Sequence, residues 1–258
     1  MVKAIFFDID GTLVSFKTHK MSDSTQKALN ELRAKGIKLF IASGRHILSM
    51  NNIGDWKPDG YVTLNGGMCI INNEVIYKNS IPNDDIINLI RYIETIESFP
   101  CVFVEEDKLW MNYENETTKW MYEMINFPIP PIAPLHSLNG RTVFQLLVFL
   151  EKEKEIDLMK KLPKCEATRW SPLFTDIIAA GNSKWNGIIE TLKHFNIQPE
   201  ETMVFGDGGN DIDMLLKAPI GVAMGNSEEN VKQAADYVTD SVDNDGIEKA
   251  LKHFGLIF

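Results

Sequence analysis

Short apolar runs alternate with stretches of helical periodicity along most of this chain, and this alternation limits the folds open to it. Apolar runs at residues 4–7, 37–42 and 203–205 have the length and composition of buried strands. Helical stretches lie between them, such as the amphipathic segment that begins near Asp23. Repeated strand–helix units predict an α/β fold with a doubly wound parallel sheet, covered by helices on both faces and joined by right-handed crossovers.

Two local patterns add detail to this prediction. Asp23 is followed three residues later by Gln26, which is typical of a capping box at the start of a helix. The apolar runs at residues 68–71 and 74–77 are joined by two asparagines. This second pattern predicts a β-hairpin.

The pattern changes between residues 82 and 181. We predict strands at residues 101–104, 143–150 and 174–179 in this segment, and helices at residues 84–96, 116–127 and 151–161. None of these predicted strands is followed by a pair of aspartates like those at residues 8–10 and 207–211. We therefore expect two domains, one formed by residues 1–81 and 182–258 and the other by an insertion at residues 82–181.

Composition and charge narrow the range of partners. The 258 residues include 44% hydrophobic residues and carry a net charge of −10, which disfavours nucleic acid or an anionic membrane because both require a basic face. Three well-separated cysteines form neither a disulfide framework nor a paired-cysteine metal site. The N-terminal apolar run is too short for a signal peptide, and no stretch reaches the length of a transmembrane span. We expect a cytoplasmic protein, a monomer or weak homo-oligomer, that acts on a small molecule.

Polar residues collect at the carboxyl ends of the predicted strands. Asp8, Asp10, Ser43, Asn65 and Asp207 each lie at or just past such an end. Parallel strands end at the same edge of a sheet, and ligands of such sheets bind beyond that edge. One edge should therefore gather all five residues.

Asp8 and Asp10 form the first candidate site. Residues two apart in extended chain point the same way, so this pair invites a divalent cation or divides acid and base roles between its members. Gly11 permits the sharp turn that follows. The alternative is a solvated acidic turn at the end of a strand, which the pair alone does not exclude.

The sequence GDGGND at residues 206–211 is the second candidate. Its glycines let the backbone approach a ligand closely, and Asp207 and Asp211 offer the hard oxygens that Mg²⁺ prefers. As a lone motif it could equally be a strand-to-helix turn. The spacing of an EF-hand calcium loop, with its distant glutamate, is missing.

Lys184 and the segment Ser43-Gly44-Arg45 complete the set. A lysine at the start of a helix is usually solvated, but a phosphoryl site needs a cation beside its metal. Ser43 could hold phosphate oxygens or cap a helix. Arg45 could reach a phosphate or pair with a surface acid. Together these residues offer a nucleophile, an acid, metal ligands and a cation, which hydrolysis of a phosphate monoester requires.

The run Phe6-Phe7-Asp8-Ile9-Asp10-Gly11-Thr12-Leu13 resembles the first motif of the haloacid-dehalogenase-like superfamily. Ser43 is similar to its second motif, Lys184 to its third and GDGGND to its fourth, in the right order. The resemblance covers the whole chain. It implies a Rossmann-like doubly wound parallel core.

The insertion resembles the large α/β cap of the Cof-like sugar-phosphatase branch. That branch also has a Ser-Lys-x-x-Gly pattern, matched by Ser183, Lys184 and Gly187, and an Asn-Gly pair, matched by Asn65-Gly66. This likeness implies an inserted α+β cap domain that selects the substrate.

The resemblance implies a role for each matched acidic residue. Asp8 would attack phosphorus and become an aspartyl-phosphate, while Asp10 would act first as acid and then as base. Mg²⁺ would be held by Asp8, by the backbone carbonyl of Asp10 and by Asp207. Asp211 would orient Lys184 or a metal-bound water.

The remaining implied roles concern the substrate. The phosphate would be held by Ser43, Gly44, Lys184 and Asn210. Further substrate contacts are expected from Arg45, Asn65, Gly66, Arg169 and Asp176. The resulting prediction is Mg²⁺-dependent hydrolysis of small phosphorylated metabolites, with sugar phosphates preferred.

Three alternatives stay open. A phosphomutase or phosphotransferase would use the same aspartyl-phosphate but return phosphate to an acceptor. A signalling receiver also gathers acids and a lysine around Mg²⁺, but is usually about half this length. A non-catalytic phosphate-binding protein could share the fold, because fold alone does not establish function.

Overall fold

The computed structural model describes residues 1–125, 127–138 and 140–258, with residue 170 described by its backbone alone. These residues form two compact units. The first unit comprises Met1–Lys78 together with Ser183–Phe258, and the second unit comprises Asn79–Asn182.

The strands of the described residues are short, mostly of four to six residues. In chain order they are β1 (Ala4–Phe7), β2 (Lys38–Ala42), β3 (Gly60–Thr63), β4 (Met68–Ile71), β5 (Glu74–Lys78), β6 (Cys101–Val104), β7 (Leu109–Met111), β8 (Gln145–Val148), β9 (Cys165–Ser171), β10 (Phe174–Ala179), β11 (Thr202–Gly206), β12 (Ile220–Ala223) and β13 (Tyr237–Val238).

The α-helices lie between these strands. They are α1 (Asp23–Ala34), α2 (Asn83–Thr95), α3 (Glu116–Met124), α4 (Lys152–Met159), α5 (Lys184–Phe195), α6 (Ile212–Lys217), α7 (Glu229–Gln233) and α8 (Gly246–His253). Among the described residues, no helix combines the length and the apolar character needed to cross a membrane.

The first unit is built on a sheet with the strand order β13-β12-β11-β1-β2-β3-β4-β5. The strands from β13 to β3 are parallel, and β4 and β5 add an antiparallel edge. In the centre, Phe7 of β1 is in register with Phe205 on one side and Ile41 on the other. The α/β fold predicted from the alternation is confirmed.

Helices cover both faces of this sheet, and alternate residues of β1 pack against opposite faces. Ile5 and Phe7 belong to one hydrophobic cluster, which includes residues of α1 and α8. Phe6 belongs to the cluster on the other face, which includes residues of α5 and α6. Each of these side chains is fully buried, and burial of one such side chain stabilises the fold by about 1.5–3 kcal/mol. This packing on both faces fixes the position of β1 and therefore of the residues that directly follow it.

Helix α1 begins where the sequence predicted, but its capping residue differs. The N-cap is Ser22, whose hydroxyl accepts a hydrogen bond from the backbone N–H of Thr25 at 3.2 Å. The prediction of a capping box from Asp23 to Gln26 was therefore wrong, because the N-cap is the residue before Asp23. Asp23 lies in the first turn instead, where a negative charge interacts favourably with the helix dipole.

The hairpin predicted at residues 68–77 is confirmed. Strands β4 and β5 pair in antiparallel fashion. The two residues between them, Asn72 and Asn73, have φ values of 51° and 65°. Positive φ at both positions defines the type I′ turn, whose twist matches that of the paired strands.

The second unit contains an antiparallel sheet with the order β7-β6-β8-β10-β9. Its hydrophobic cluster includes Leu89 of α2, Leu146 of β8, Leu158 of α4 and Ile177 of β10. The sequence prediction missed β7 and β9. Strand β7 is an apolar run of only three residues, which is too short to be recognised, and β9 is interrupted by polar residues such as Glu166 and Arg169.

Candidate active site

Asp8 is the first residue after β1, at the carboxyl edge of the parallel sheet. Its backbone N–H continues the ladder by donating to the carbonyl oxygen of Phe205 at 3.0 Å. The residue is buried, with 8% of its surface exposed. Asp207, which follows β11, and Asp211 lie beside it, and one carboxylate oxygen from each of the three residues lies within 4.8 Å of the other two. The sheet therefore brings together acidic residues about 200 positions apart in sequence.

The loop after Asp10 requires a glycine at position 11. Gly11 has φ +84°, and a Cβ atom there would lie 2.1 Å from Oδ2 of Asp207. Its backbone N–H donates to the carbonyl oxygen of Val14 at 2.8 Å, which closes the loop tightly. Thr12 then donates its hydroxyl proton to Oδ1 of Asp207 at 2.7 Å. Gly11 thus allows the loop after Asp10 to contact the carboxylate of Asp207 directly.

Lys184 places its ammonium group between two carboxylates. Nζ lies 2.6 Å from Oδ1 of Asp8 and 2.6 Å from Oδ1 of Asp211, and the side chain is completely buried. Lys184 is the first residue of α5, and Ser183 caps that helix by accepting a hydrogen bond from the N–H of Asn186. The helix start therefore directs the lysine at the acidic group rather than at solvent.

Two glycines allow α5 to come this close. A Cβ atom at Gly66 would lie 2.0 Å from the carbonyl oxygen of Ser183, and one at Gly187 would lie 2.4 Å from Cγ1 of Val62. Only glycine fits at these two contacts. This explains in physical terms the Asn-Gly and Ser-Lys-x-x-Gly patterns of the sequence: both glycines set the position of Lys184.

Asp211 organises the GDGGND segment from within. Its Oδ2 accepts hydrogen bonds from the backbone N–H groups of Asp207 (3.0 Å) and Gly208 (2.9 Å), while Oδ1 faces Lys184. A Cβ atom at Gly206 would lie 2.5 Å from the Asp211 side chain. Asp211 therefore holds the turn that presents Asp207 and fixes Lys184 at the same time.

Burial perturbs the titration of this cluster. Burial raises the pKa of Asp8 to about 7; the charge of Lys184 opposes this shift, and the charges of Asp211 and Asp10 add to it. Burial also raises the pKa of Asp207 well above its ordinary value, with Asp8 and Asp211 adding to the effect. For Lys184, burial alone would lower the pKa, but Asp211 and Asp8 outweigh it and hold the pKa above its ordinary value.

The donor set at this position fits a divalent cation. Three carboxylates lie close together, and the one ammonium group beside them pairs with two, so in their ionised forms the carboxylates carry more negative charge than Lys184 balances. Carboxylate oxygens are the ligands that Mg²⁺ prefers, and a cation would stabilise the ionised forms of Asp8 and Asp207, which burial and the neighbouring carboxylates disfavour. Asp8 and Asp207 could both serve as ligands, because each oxygen that accepts a hydrogen bond retains a second lone pair.

Ser43, Gly44, Asn65 and Asn210 meet beside this cluster. The side-chain amide of Asn210 donates to Oδ1 of Asn65 at 3.0 Å. A Cβ atom at Gly44 would lie 3.1 Å from the Asn65 amide and 3.4 Å from Nδ2 of Asn210. The backbone of Asn65 is tied to this strand end, since its N–H donates to the carbonyl oxygen of Ser43 at 3.1 Å. The structure therefore brings all four of these sequence-predicted residues together.

Ser43 does not cap an α-helix. Its hydroxyl accepts a hydrogen bond from the backbone N–H of Arg45 at 3.2 Å, and the short 3-10 helix that follows, Ile47–Ser49, is capped by the side chain of His46. Ser43 is buried at the carboxyl end of β2. The capping alternative considered for this residue was therefore wrong.

Arg45 pairs with Asp10, which is an acid of the site rather than of the surface. Its Nη2 donates to Oδ1 of Asp10 at 2.9 Å, and its Nε donates to Oδ2 of the same carboxylate. The third guanidinium nitrogen, Nη1, donates to the carbonyl oxygen of Ser49 at 2.8 Å. Asn52 adds a further hydrogen bond to Oδ1 of Asp10 at 3.2 Å. The carboxylate of Asp10 is held by three donors.

Arg169 and Asp176 belong to the second unit. The guanidinium of Arg169 donates to Glu155 (Nη2 at 2.6 Å, Nε at 3.0 Å) and to the carbonyl oxygen of Leu150 at 2.9 Å. Asp176 is a buried residue of β10. Their proposed contacts with a substrate stay predictions.

Thr12, Asn52 and Asn226 each contact an acid of the site through their side chains, although the sequence predicted no role for them. Asn226 donates to Oδ2 of Asp207 at 3.2 Å and to the carbonyl oxygen of Gly11 at 3.0 Å. A usable signal existed for Asn226, since it follows the carboxyl end of β12 by three residues. Asn52 follows a short 3-10 helix and not a strand, so its position in the sequence did not indicate a place at the site.

A family model described as haloacid dehalogenase-like hydrolase matches residues 5–251. The match covers nearly the whole chain and includes each of the sequence segments that form the site. The chain belongs to the haloacid dehalogenase-like hydrolase family.

Relatives and solved structures narrow this assignment. The chain is 34% identical to "Putative phosphatase YkrA" of Bacillus subtilis (strain 168), over 99% of this chain and 98% of that protein. It is similar to the structure of BT4131, described as a sugar phosphatase of HAD subclass IIB, with 46% identity, a TM-score of 0.94, and coverage of 99% of this chain and 100% of that one. The phosphatase BT1666 from Bacteroides thetaiotaomicron gives 37% identity and a TM-score of 0.90, covering 100% of this chain and 96% of that one. The chain is a Cof-like phosphoric monoester hydrolase of this family.

Proposed function

We propose that this phosphatase hydrolyses sugar phosphates through an aspartyl-phosphate on Asp8, in a reaction that depends on Mg²⁺. The observation that carries the proposal is the position of Lys184, whose ammonium group joins Asp8 to Asp211 in a buried site beside Asp207. A buried cation beside a nucleophilic carboxylate and a metal-binding carboxylate matches what phosphoryl transfer needs.

In the first step, a carboxylate oxygen of Asp8 attacks phosphorus and forms an Asp8–phosphorus bond. The bond between phosphorus and the sugar oxygen breaks, and Asp10 gives the departing oxygen a proton. Lys184 supports this step because it fixes Oδ1 of Asp8 at 2.6 Å and offers positive charge to the phosphoryl oxygens.

In the second step, water attacks phosphorus, Asp10 accepts a proton from that water, and the Asp8–phosphorus bond breaks to release inorganic phosphate. The hydrogen bonds from Arg45 and Asn52 suit the ionised carboxylate of Asp10, which is the form that accepts a proton. Asp10 would have to leave these donors, or share them, when it acts as the acid.

We assign the phosphoryl oxygens to Ser43, Gly44, Lys184 and Asn210. The support is the convergence of Ser43, Gly44 and Asn210 beyond the carboxyl ends of β2 and β11, which flank β1, and the contact of Lys184 with Asp8 at the end of β1. Contacts from Arg45, Asn65 and Gly66 to the substrate are part of the same proposal.

Mg²⁺ would be held by Asp8, Asp207 and the backbone carbonyl of Asp10, and when bound it supplies positive charge that lowers the repulsion between the attacking carboxylate and the phosphate. Asp211 would act by holding Lys184 and the turn at Asp207. The proposal for these residues is supported by the excess of buried negative charge among them.

The choice of sugar phosphates is supported by the likeness to BT4131, which is described as a sugar phosphatase. We propose that residues 82–181 act as a cap that selects the sugar. Arg169 and Asp176 are the candidate contacts of this segment.

A phosphate-release screen tests the proposal. The full chain would be incubated with a library of phosphorylated metabolites, with Mg²⁺ or with a chelator, beside the variant Asp8→Asn. We expect phosphate release from one or more sugar phosphates in Mg²⁺ but not in chelator. The rate of release should fall by more than about 10³-fold in Asp8→Asn, because its amide is a poor nucleophile.

Two results would contradict the proposal. Phosphate release by Asp8→Asn at the wild-type rate would rule out an aspartyl-phosphate on Asp8. Release at the same rate in chelator would rule out the dependence on Mg²⁺. A requirement for a sugar bisphosphate, with phosphate returned to the sugar, would instead favour a phosphomutase.

A further inference from the structure

Asn226 uses both ends of its side-chain amide. Nδ2 donates to Oδ2 of Asp207 at 3.2 Å and to the carbonyl oxygen of Gly11 at 3.0 Å. Oδ1 accepts a hydrogen bond from the backbone N–H of Val242 at 2.9 Å. These three contacts fix the orientation of the amide, because a flipped amide would turn its oxygen toward two other oxygens and its NH₂ group toward a donor.

The backbone that carries Asn226 is closely packed. The N–H of Met224 donates to the carbonyl oxygen of Gly206 at 3.0 Å, and the N–H of Gly225 donates to the carbonyl oxygen of Asp240 at 3.1 Å. A Cβ atom at Gly225 would lie 2.8 Å from the carbonyl oxygen of Thr239. The loop is therefore held between the end of β11 and the segment after β13, and it delivers the amide to one position.

Thr12 contacts Asp207 from the other side. Its hydroxyl donates to Oδ1 at 2.7 Å, whereas Asn226 donates to Oδ2. The strand order explains this arrangement, since β11, which precedes Asp207, lies between β1 and β12. Each carboxylate oxygen thus receives one donor, and a lone pair on each stays available for a cation.

We propose that Asn226 is a positioning residue that, opposite Thr12, fixes the carboxylate of Asp207 in the orientation needed to bind Mg²⁺. This inference rests on the metal dependence in the proposed function. Hydrogen-bond partners of metal ligands typically contribute about 10–100-fold to metal affinity, because they reduce the number of orientations that the ligand samples.

Calorimetric titration of the full chain with Mg²⁺, without substrate, tests the inference. The variants are Asn226→Ala and Asn226→Ser; serine keeps a polar side chain but is too short to reach Asp207. The matched control is Asn244→Ala, which removes the same type of side chain from an exposed position nearby. Titrations would be run well below the melting temperature of each metal-free variant, so that only folded protein is compared.

We expect both Asn226 variants to bind Mg²⁺ about 10-fold or more weakly, and the control to bind as the wild type does. In activity assays, the Mg²⁺ concentration for half-maximal rate should rise by a similar factor, while the rate at saturating Mg²⁺ changes much less. A residue that only stabilised the fold would lower the melting temperature without changing the Mg²⁺ affinity of the folded protein.

The possible failures are distinguishable. Wild-type affinity in either Asn226 variant overturns the role of Asn226 and leaves the proposed function intact. A wild-type chain that binds no Mg²⁺ overturns the metal dependence and this inference together. If Asn226→Ala does not fold, the serine variant alone decides.

Discussion

The guanidinium of Arg45 donates two hydrogen bonds to the carboxylate of Asp10, one to each oxygen. The pair is largely buried, with 14% of the Arg45 side chain and 24% of the Asp10 side chain exposed. A two-point contact of this kind fixes both the position and the rotation of a carboxylate. Since Arg45 is itself held by the carbonyl oxygen of Ser49, the orientation of Asp10 depends on the loop that follows β2.

We therefore predict that Arg45→Ala lowers the rate of sugar-phosphate hydrolysis by about 10- to 100-fold, a part of the 10²–10⁴ that general acid–base catalysis supplies. Arg45→Lys should recover little, because an ammonium cannot make the two-point contact. The measurement is kcat on a sugar phosphate and on nitrophenyl phosphate, whose leaving group needs no proton. The exposed Arg33→Ala serves as the control.

Coupling between Arg45 and Asp10 distinguishes this role from direct phosphate binding. If Arg45 acts through Asp10, adding Arg45→Ala to Asp10→Asn should cost little more than Asp10→Asn alone. Fully additive losses would contradict that role, and so would an equal loss on both substrates from Arg45→Ala.

Lys184 leads to a prediction about stability. Lys184→Met keeps an unbranched side chain, one atom shorter than that of lysine, but leaves Asp8 and Asp211 buried without their cation. Removing one partner of a buried ion pair costs about 3–5 kcal/mol, because the remaining charge is uncompensated. We expect a loss of this size in the free energy of unfolding, measured by urea denaturation of the metal-free protein.

Two further variants check the cause. Lys193→Ala removes an exposed lysine from the same helix and should change the free energy of unfolding by less than about 0.5 kcal/mol. Adding Asp211→Asn to Lys184→Met should restore part of the loss, since it removes one of the uncompensated charges. A double variant as unstable as the sum of both changes would contradict the electrostatic explanation.

The raised pKa of Asp8 predicts how the metal-free protein responds to pH. Folded Asp8 keeps its proton up to about pH 7, whereas the unfolded chain releases it near the ordinary value of 3.8. Between these values the folded state binds more protons, so stability falls as pH rises. The raised pKa of Asp207 acts in the same direction. In chelator, the melting temperature should decrease from pH 5.5 to pH 8.

Mg²⁺ should reverse this trend, because ionised carboxylates are the form that binds metal. The rise in melting temperature on adding Mg²⁺ should therefore be larger at pH 8 than at pH 5.5. A melting temperature that increased with pH in chelator, or a metal effect independent of pH, would contradict the assignment of Asp8 as a buried carboxylate in need of a cation.

The parts of the site that the sequence could predict are those tied to strand ends. Asp8, Ser43, Asn65 and Asp207 follow apolar runs, and parallel pairing necessarily brings such positions to one edge. Lys184 could be placed only by the resemblance, because nothing in a helix start by itself shows whether a lysine is solvated or buried. The observed geometry supplies the missing reason, which is the close contact that Gly66 permits.

Other features depended on contacts that no local pattern encodes. Asn52 reaches Asp10 from beyond a short 3-10 helix, and the two-point pairing of Arg45 required the exact path of the same loop. Strand β9 was missed because polar residues interrupt it, yet it pairs with β10 as the edge of the second sheet. At such an edge, polar residues are common and the apolar signal is weak.

Gly66 provides the sharpest test of how the fold positions Lys184. Gly66 has φ +86°, and a Cβ atom there would lie 2.0 Å from the carbonyl oxygen of Ser183, the residue before Lys184. Gly255 also has positive φ, +67°, but a Cβ atom there would have no neighbour within 4 Å among the described residues. Both Gly→Ala changes incur the strain of a left-handed backbone, about 1 kcal/mol, whereas Gly66→Ala must also displace Ser183. We expect Gly255→Ala to keep full activity and Gly66→Ala to lose more than about 10-fold in kcat, together with a further 1–3 kcal/mol of unfolding free energy. Equal effects of the two changes would show that the contact between Gly66 and Ser183 does not set the position of Lys184.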